Sequence, residues 1–300
     1  MNIQTLVLQA LDKGNFKTLE GYVEFTKRYL DFVAKHLQAV IISQNENHYQ
    51  FYQYDKDGNF QITRPINSDL MYNADTFSIA NKKYMEILSN LKDIKPELAV
   101  ERQILNNVTY TIQQSIGAAL DGISGGKANT ARKLNGDLFE SFIRLIINEM
   151  GIEAKAGVVQ IPVLIDGIKE FDMSYQHDLI IKNKDEIKVI GSVKTSSKDR
   201  IDKIFIDKFL YNKLTEKQTP HIAIFLNDVQ RKKNKKENEY GINSTFLPGH
   251  FKGYTVKLNP LDGVYYCDIR PNMRTENILK DHIKTFDNLL IEDIWKFIEK

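Results

Sequence analysis

The chain has few of the features that would place it in a special structural class. Its 300 residues include one cysteine, Cys267, which excludes an internal disulfide framework and a cysteine-rich zinc site. The longest apolar runs, such as "LQAVII" and "HIAIFL", are far too short to span a bilayer. The N-terminus lacks a basic segment and a cleavage site, so no secretory leader is expected. These absences predict a protein of the reducing cytoplasm, without a membrane partner.

A strong excess of charge of one sign is also missing. The chain carries 41 Lys and Arg residues against 39 Asp and Glu residues, a formal net charge of +2. This balance does not identify a nucleic-acid-binding protein, so any such role must rest on local clusters. The main cluster is "RKKNKK", residues 231–236. It fits either a solvated loop between strands or a surface that contacts phosphates.

The first 125 residues are predicted to be mainly helical, with one hairpin. Apolar residues recur at helical spacing from Phe25 to Leu37 and again from residue 97 to 120. Between these helices, an alternating aromatic stretch contains the dipeptide Asp57-Gly58, which is typical of a hairpin turn. The glycines of "DGISGG" end the helical pattern. We therefore place a boundary near residue 125, between regions 1–125 and 126–300.

The second region is predicted to be of the α/β (α+β) class. "NTARKLNGDLFESFIRLIINEMG" predicts a long amphipathic helix, followed by the strand "VVQIPVLI". A hairpin over residues 177–194, the helix "DKIFIDKFLYNKL" and the buried strand "HIAIFLND" come next. A second hairpin is expected in "YTVKLNPLDGVYYCDI", with its turn at Asp262-Gly263, before a C-terminal helix. These elements predict a mixed central sheet flanked by helices.

The first of these hairpins brings an aspartate and a lysine together. A turn near residues 184–185 sets Asp178 opposite residue 191 or 192, and Lys194 lies next on the same face. The competing acid-x-Lys triplet, residues 186–188, lies at the turn and is too far away to share a site with Asp178. The pair is either an ordinary cross-strand ion pair or part of a catalytic site.

Phosphodiester hydrolysis would give the pair a catalytic use. That reaction needs an activated water and relief of charge at the phosphate, which Mg²⁺ supplies with few carboxylate ligands. A lysine can orient or deprotonate the water and offset the charge of the phosphate. A metal-dependent nuclease would carry a second acid two residues before the lysine, where this chain has Ser192.

The flanking residues favour the catalytic interpretation. Glu140 lies at the edge of the apolar stripe of the preceding helix, from which it can reach the rim of the sheet. The run "TSSKDR" after the lysine is polar and basic, as suits phosphate contacts at the start of a helix. Asp207 follows on that helix. It is either a solvent-facing residue opposite Phe205 and Phe209 or the acid that the strand lacks.

Glu140, Asp178 and Lys194, in this helix–strand–hairpin order, resemble the PD-(D/E)XK nuclease superfamily and, within it, the type II restriction endonucleases. "GSVKTSSKDR" is similar to the branch in which the second acid has migrated to the following helix. Ser192 and Asp207 fit that arrangement. Members of the branch usually carry Glu at the helix position, and a proline often stands in place of His177.

The resemblance implies a restriction-endonuclease-like catalytic core in residues 126–300. Mg²⁺ would be held by Asp178, Asp207 and Glu140, with Lys194 as the catalytic lysine. It implies site-specific cleavage of both strands of double-stranded DNA, with 5′-phosphate and 3′-hydroxyl ends. Two strands require two active sites, so a homodimer is expected. Region 1–125, the basic loop and the C-terminal hairpin are the candidates for recognition and dimer contacts. The expected DNA contacts are Ser196, Ser197, Lys198, Arg200, Arg231, Lys232, Lys233, Lys235 and Lys236.

Two alternatives stay open at this point. One is a repair or recombination nuclease of the same superfamily. The other is a non-catalytic DNA-binding protein with a decayed site, which the serine at position 192 favours. Asp207 argues against decay, since a decayed site has no reason to keep an acid at the compensating position. No phosphate-binding or dinucleotide-binding motif is present in the sequence, so no nucleotide cofactor is expected.

Overall fold

The computed structural model describes residues 2–56, 59–94, 97–123, 126–198, 200–233, 236 and 239–299. In the described residues, its N-terminal region packs helices with a four-stranded antiparallel sheet, where the sequence predicted helices and one hairpin. The Asp57-Gly58 turn lies outside the described residues, but the strands on either side of it do pair. The elements are α1 (Ile3–Leu11), α2 (Leu19–His36), β1 (Ala39–Ile42), β2 (Tyr49–Lys56), β3 (Asn59–Ile62), β4 (Ile66–Asn67), α3 (Ala74–Ser89) and α4 (Ala99–Leu120), with short 3-10 turns at Lys13–Phe16 and Leu91–Asp93.

The C-terminal region builds the main sheet and its flanking helices. Its elements are α5 (Ala128–Glu149), β5 (Glu153–Ile165), β6 (Ile168–Asn183), β7 (Glu186–Ser196), α6 (Ile201–Thr215), β8 (His221–Asn227), β9 (Val229–Lys233), β10 (Tyr240–Ser244), α7 (Pro248–Lys257), β11 (Gly263–Tyr266), α8 (Pro271–Thr275), α9 (Leu279–His282), β12 (Ile283–Thr285), α10 (Phe286–Asn288) and α11 (Ile294–Glu299). No helix in the described ranges is long and apolar enough to cross a membrane.

The central sheet has six strands in the order β12-β11-β8-β7-β6-β5. Strands β5, β6 and β7 are antiparallel neighbours, whereas β7, β8, β11 and β12 run parallel. Along β8, Ile222 and Ile224 join the core cluster on the α4 and α5 side, while Ala223 and Phe225 join the cluster on the α6 side. The sheet is therefore covered on both faces, which confirms the predicted fold class.

The prediction of a second hairpin, in "YTVKLNPLDGVYYCDI", is wrong. "YTVK" forms the last turns of α7, a helix that begins at Pro248, where the missing N–H costs no helical hydrogen bond. The following strand, β11, pairs in parallel with β8 and β12. The local alternation around Asp262-Gly263 suggested a partner next in sequence, but parallel partners lie far along the chain.

The regions on either side of residue 125 share one core. The ring of Tyr22 in α2 stacks on that of Phe142 in α5 at 4.7 Å, and its hydroxyl donates to the carbonyl of Leu138. Helix α4 is buried continuously from Ile104 to Leu120 between the other helices and the sheet. The assignment of recognition and dimer contacts to residues 1–125 stays a prediction.

Candidate active site

The site is built at the open end of the β6–β7 hairpin. The ladder pairs Leu179 with Gly191, so one further step aligns Asp178 with Ser192, as the sequence predicts. The carboxylate of Asp178 accepts a hydrogen bond from the backbone N–H of Val193 at 3.0 Å. The Arg144 guanidinium of α5 donates to the carbonyl of Asp178 at 2.7 Å. The aspartate is thus held from both the neighbouring strand and the helix above it.

Lys194 brings two carboxylates together. Its Nζ lies 2.6 Å from Oδ2 of Asp178 and 2.8 Å from Oε1 of Glu140. The first acid comes from β6 and the second from α5, so three elements meet at one ammonium group. The competing lysine, Lys188, pairs with Glu186 at the hairpin turn instead.

Burial and the neighbouring charges determine the protonation of Lys194 and of the two acids that contact it. Burial lowers the pKa of Lys194, but the carboxylates of Asp178 and Glu140 outweigh it, and the pKa ends above its ordinary value. Burial raises the pKa of Glu140, and the nearby charge of Asp178 raises it further against the hydrogen bond from Lys194. At neutral pH the lysine is therefore an ammonium that offsets two crowded acids.

Helix α6 places Asp207 at the same cleft as Asp178 and Lys194. A cleft of about 170 Å³ is lined by Asp178, Ser192, Lys194 and Asp207. Arg200, Lys203 and Ile204 line it as well, at the spacing of one helix face. The carboxylate of Asp207 lies 2.6 Å from Nζ of Lys203, and 29% of its side chain is exposed. Asp207 therefore faces the cleft rather than open solvent.

The cleft is also lined by two histidines that the sequence pattern does not assign to the site. His177 and His221 are buried, with ring centroids 6.5 Å apart. Neither Nε2 atom has a hydrogen-bond partner among the described residues. Burial lowers both pKa values, that of His221 to about 4. The position of His177 before Asp178 was a signal for it, but His221 reaches the site through the parallel pairing of β8 with β7, which no local pattern shows.

The structure of the chain is similar to a known fold, although its sequence matches no known family. No family model and no curated protein sequence matches the chain. A solved structure does: the type IIP restriction endonuclease Kpn2I superposes with a TM-score of 0.71 at 18% identity, over 99% of this chain and 97% of that one. The chain has a restriction-endonuclease-like fold. A complex of the restriction endonuclease PspGI with substrate DNA gives a TM-score of 0.41 at 14% identity, over 75% of this chain and 92% of that one, and supports nothing further.

In this restriction-endonuclease-like fold, the segment after Lys194 is partly buried. Arg200 lines the cleft, and Lys198 lies at the surface with its Nζ 3.2 Å from Oε1 of Gln230. The hydroxyl of Ser196 lies 3.3 Å from that of Thr245. Ser197 is 1% exposed and its hydroxyl also faces Thr245, so it lies inside the protein and not at the surface expected for a phosphate contact.

The basic run continues β9 rather than forming a loop throughout. Arg231 donates to the carbonyl of Ile62 at 2.8 Å, and its guanidinium lies over the ring of Tyr240, so it ties β9 to the N-terminal sheet. Lys232 is exposed. Lys236 is exposed as well, 3.6 Å from Glu239. Lys235 and the side chain of Lys233 lie outside the described part of the chain.

The acids at the cleft have the donor chemistry that a hard divalent cation prefers, since Mg²⁺ takes oxygen ligands, needs one or two carboxylates and keeps several waters. Asp178 and Asp207 line the cleft, and Glu140 meets Asp178 at the ammonium of Lys194. Within the described ranges, no group of three or more His, Cys, Asp or Glu side chains is already spaced to hold a metal. The residues therefore have the ligand type that Mg²⁺ requires. The ammonium of Lys194 occupies the point where the carboxylates of Asp178 and Glu140 converge.

Proposed function

We propose that the chain is a Mg²⁺-dependent, sequence-specific endonuclease of double-stranded DNA, of the type II restriction kind. The observation that carries the proposal is the convergence of Asp178 and Glu140 on Lys194, beside a cleft that Asp207 also lines. This constellation, on two neighbouring strands of a restriction-endonuclease-like sheet and the helix that covers them, suits hydrolysis of a phosphodiester to 5′-phosphate and 3′-hydroxyl ends. Such an enzyme would act as a homodimer.

Each residue has a role that its surroundings support. Asp178, Glu140 and Asp207 would hold Mg²⁺, which when bound would activate a water and relieve charge on the phosphate. The ammonium of Lys194 would contact the scissile phosphate and offset its charge, since its raised pKa keeps the proton in place. Arg200 lines the same cleft and would hold an adjacent phosphate.

Asp207 favours an active site over a decayed one. Ser192 stands where a second strand acid would lie, and a chain that had merely lost this acid would bind DNA without cutting it. A carboxylate from α6 that enters the cleft beside Ser192 replaces the lost group. The position of Asp207 therefore favours catalysis over DNA binding alone.

The test is incubation of purified protein with a mixture of plasmids in Mg²⁺, with EDTA as the matched control. We expect discrete fragments that disappear in EDTA, and end sequencing should return one recurring site. Nicks or smears dependent on DNA structure would favour the repair or recombination alternative. Binding to DNA without any cleavage across Mg²⁺ concentrations and DNA sources would favour the non-catalytic one.

A further inference from the structure

The hairpin of β5 and β6 extends beyond the central sheet. The two strands pair along their whole length, from Glu153 with Lys182 to Ile165 with Ile168. Strand β6 pairs with β7 only over Leu179–Asn183. Residues 157–177, hereafter the arm, therefore form a two-stranded ribbon to which no third strand pairs among the described residues. Asp166 and Gly167 close it in a tight turn with positive φ at both positions.

The base of the arm is covered and its tip is not. Ile161 and Tyr175 are buried against Tyr211 of α6. Beyond them, Leu164, Ile165, Ile168 and Phe171 expose between 55% and 67% of their surface. A two-stranded ribbon is only marginally stable in water by itself, and clustered large apolar side chains on a surface mark a place of contact with another molecule.

The charge of the arm argues against DNA as that molecule. Its charged side chains are Asp166, Lys169, Glu170 and Asp172, three acids and one base, and Lys169 already pairs with Asp172 at 2.7 Å. A segment that follows a phosphate backbone needs the opposite balance. The apolar tip and acidic flank suit the surface of a protein.

We propose that the tip of the arm is the contact between two copies of this chain. The proposal rests on the proposed function, because cutting two strands requires two active sites held at a fixed separation. Strand β6 runs from the tip directly into Asp178, so a contact between arms would set the distance between the two catalytic carboxylates.

The exposed apolar side chains at the tip can share one contact. Ile165 pairs directly with Ile168 across the ribbon, and both expose more than half of their surface. A stable interface buries about 800 Å² per partner, so the tip would supply a part of the contact. Val158, also more than half exposed, and the polar edge of β5 extend the same ribbon toward the sheet.

The experiment measures the mass of the full chain by sedimentation velocity over a range of micromolar concentrations, without DNA. The wild type should sediment at twice the chain mass of 34.7 kDa. The double variant Ile168→Thr with Phe171→Thr, which keeps residues that favour strands, should dissociate at least tenfold more readily. The matched control is Ile79→Thr with Val256→Thr, two exposed apolar residues on α3 and α7, and it should behave as the wild type.

Far-UV circular dichroism and a melting curve establish that the arm variant is folded. A monomeric wild type at every concentration would overturn the proposal, as would a folded arm variant that dimerises normally. An arm variant that stays dimeric but loses affinity for DNA would assign the tip to DNA instead. DNA affinity is measured separately by gel shift. Because the sedimentation measurement uses no DNA and no metal, its outcome does not depend on whether the plasmid assay shows cleavage.

Discussion

Ser192 of β7 and Asp207 of α6 line the same cleft, although they come from different elements of the chain. The strand position where a metal-dependent nuclease would carry an acid is filled by a small hydroxyl, and a helix contributes a carboxylate to the same cleft. The pair explains how a hairpin with one acid and one lysine could still assemble a metal site. It also gives the most direct test of that site.

Asp207→Ala should abolish cleavage, because it removes the acid proposed to replace the strand carboxylate, whereas Ser192→Ala should remain active. The double change Ser192→Asp with Asp207→Ala should restore a trace of activity. Asp207→Glu is a matched control that keeps the charge and should retain measurable cleavage. Initial rates on plasmid DNA decide the matter. Normal cutting by Asp207→Ala together with loss in Ser192→Ala would assign the role to the serine or to Glu140.

Asp178→Ala and Lys194→Ala should each remove cleavage, because the two groups meet at 2.6 Å and both belong to the proposed catalytic site. Lys194→Ala should still bind DNA, since in the proposed function the lysine acts mainly on the phosphate during reaction. Cleavage assays and gel-shift titrations measure the two effects separately. Lys188→Ala, at the hairpin turn, is the control and should cut normally. Near wild-type cleavage by either site variant would refute the assignment.

The lysines of the basic run, of which Lys232 and Lys236 are described and exposed, are expected to contact phosphates. Changing Lys232, Lys233, Lys235 and Lys236 to Ala should weaken binding to all DNA sequences, with the salt dependence of binding flattened by about 0.9 per lost contact. Arg231 is left intact because it ties β9 to Ile62. A control that neutralises the exposed Lys17, Lys82, Lys257 and Lys280 keeps the change in net charge equal. An equal effect in both variants would reduce the run to a solvated surface.

His221 should make folding stability depend on pH. Burial lowers its pKa in the folded protein to about 4, from the ordinary value of 6.5. Its contribution is fully present above pH 6.5 and is lost as the pH falls toward 4, because only the unfolded chain then binds the proton. The difference amounts to roughly 3 kcal/mol. Urea unfolding from pH 7 to 4 should therefore show a shallower loss for His221→Gln than for the wild type.

The exposed His36 provides the control for that measurement. His36→Gln should follow the wild-type curve of unfolding free energy against pH. If His221→Gln also follows it, the buried ring does not resist protonation and the cleft is more accessible to water than its packing indicates.

The elements that local pattern specifies could be predicted from the sequence. The alternation of β6 and β7 around a short turn fixes the register, so Asp178, Ser192 and Lys194 fell on the predicted face. Glu140 followed from the phase of its helix. The convergence of these residues needed no knowledge of distant strands.

The features that the sequence did not predict depend on pairing between segments that are far apart in sequence. His221 enters the cleft only because β8 lies parallel to β7, and β11 was mistaken for half of a hairpin because its parallel partners are remote. The inward position of Ser197 has the same origin, since Thr245, which faces it, comes from the segment after β10.

The continuous burial of α4 has a consequence for attempts to shorten this protein. A fragment that begins after the glycines near residue 125 would strip Tyr22 from Phe142 and leave one face of α5 in water. A truncated C-terminal fragment should therefore be insoluble or lack a cooperative melting transition. The N-terminal helices are, in this respect, part of the scaffold of the cleft, and engineering of a smaller protein would have to start by redesigning the surface that α4 now covers.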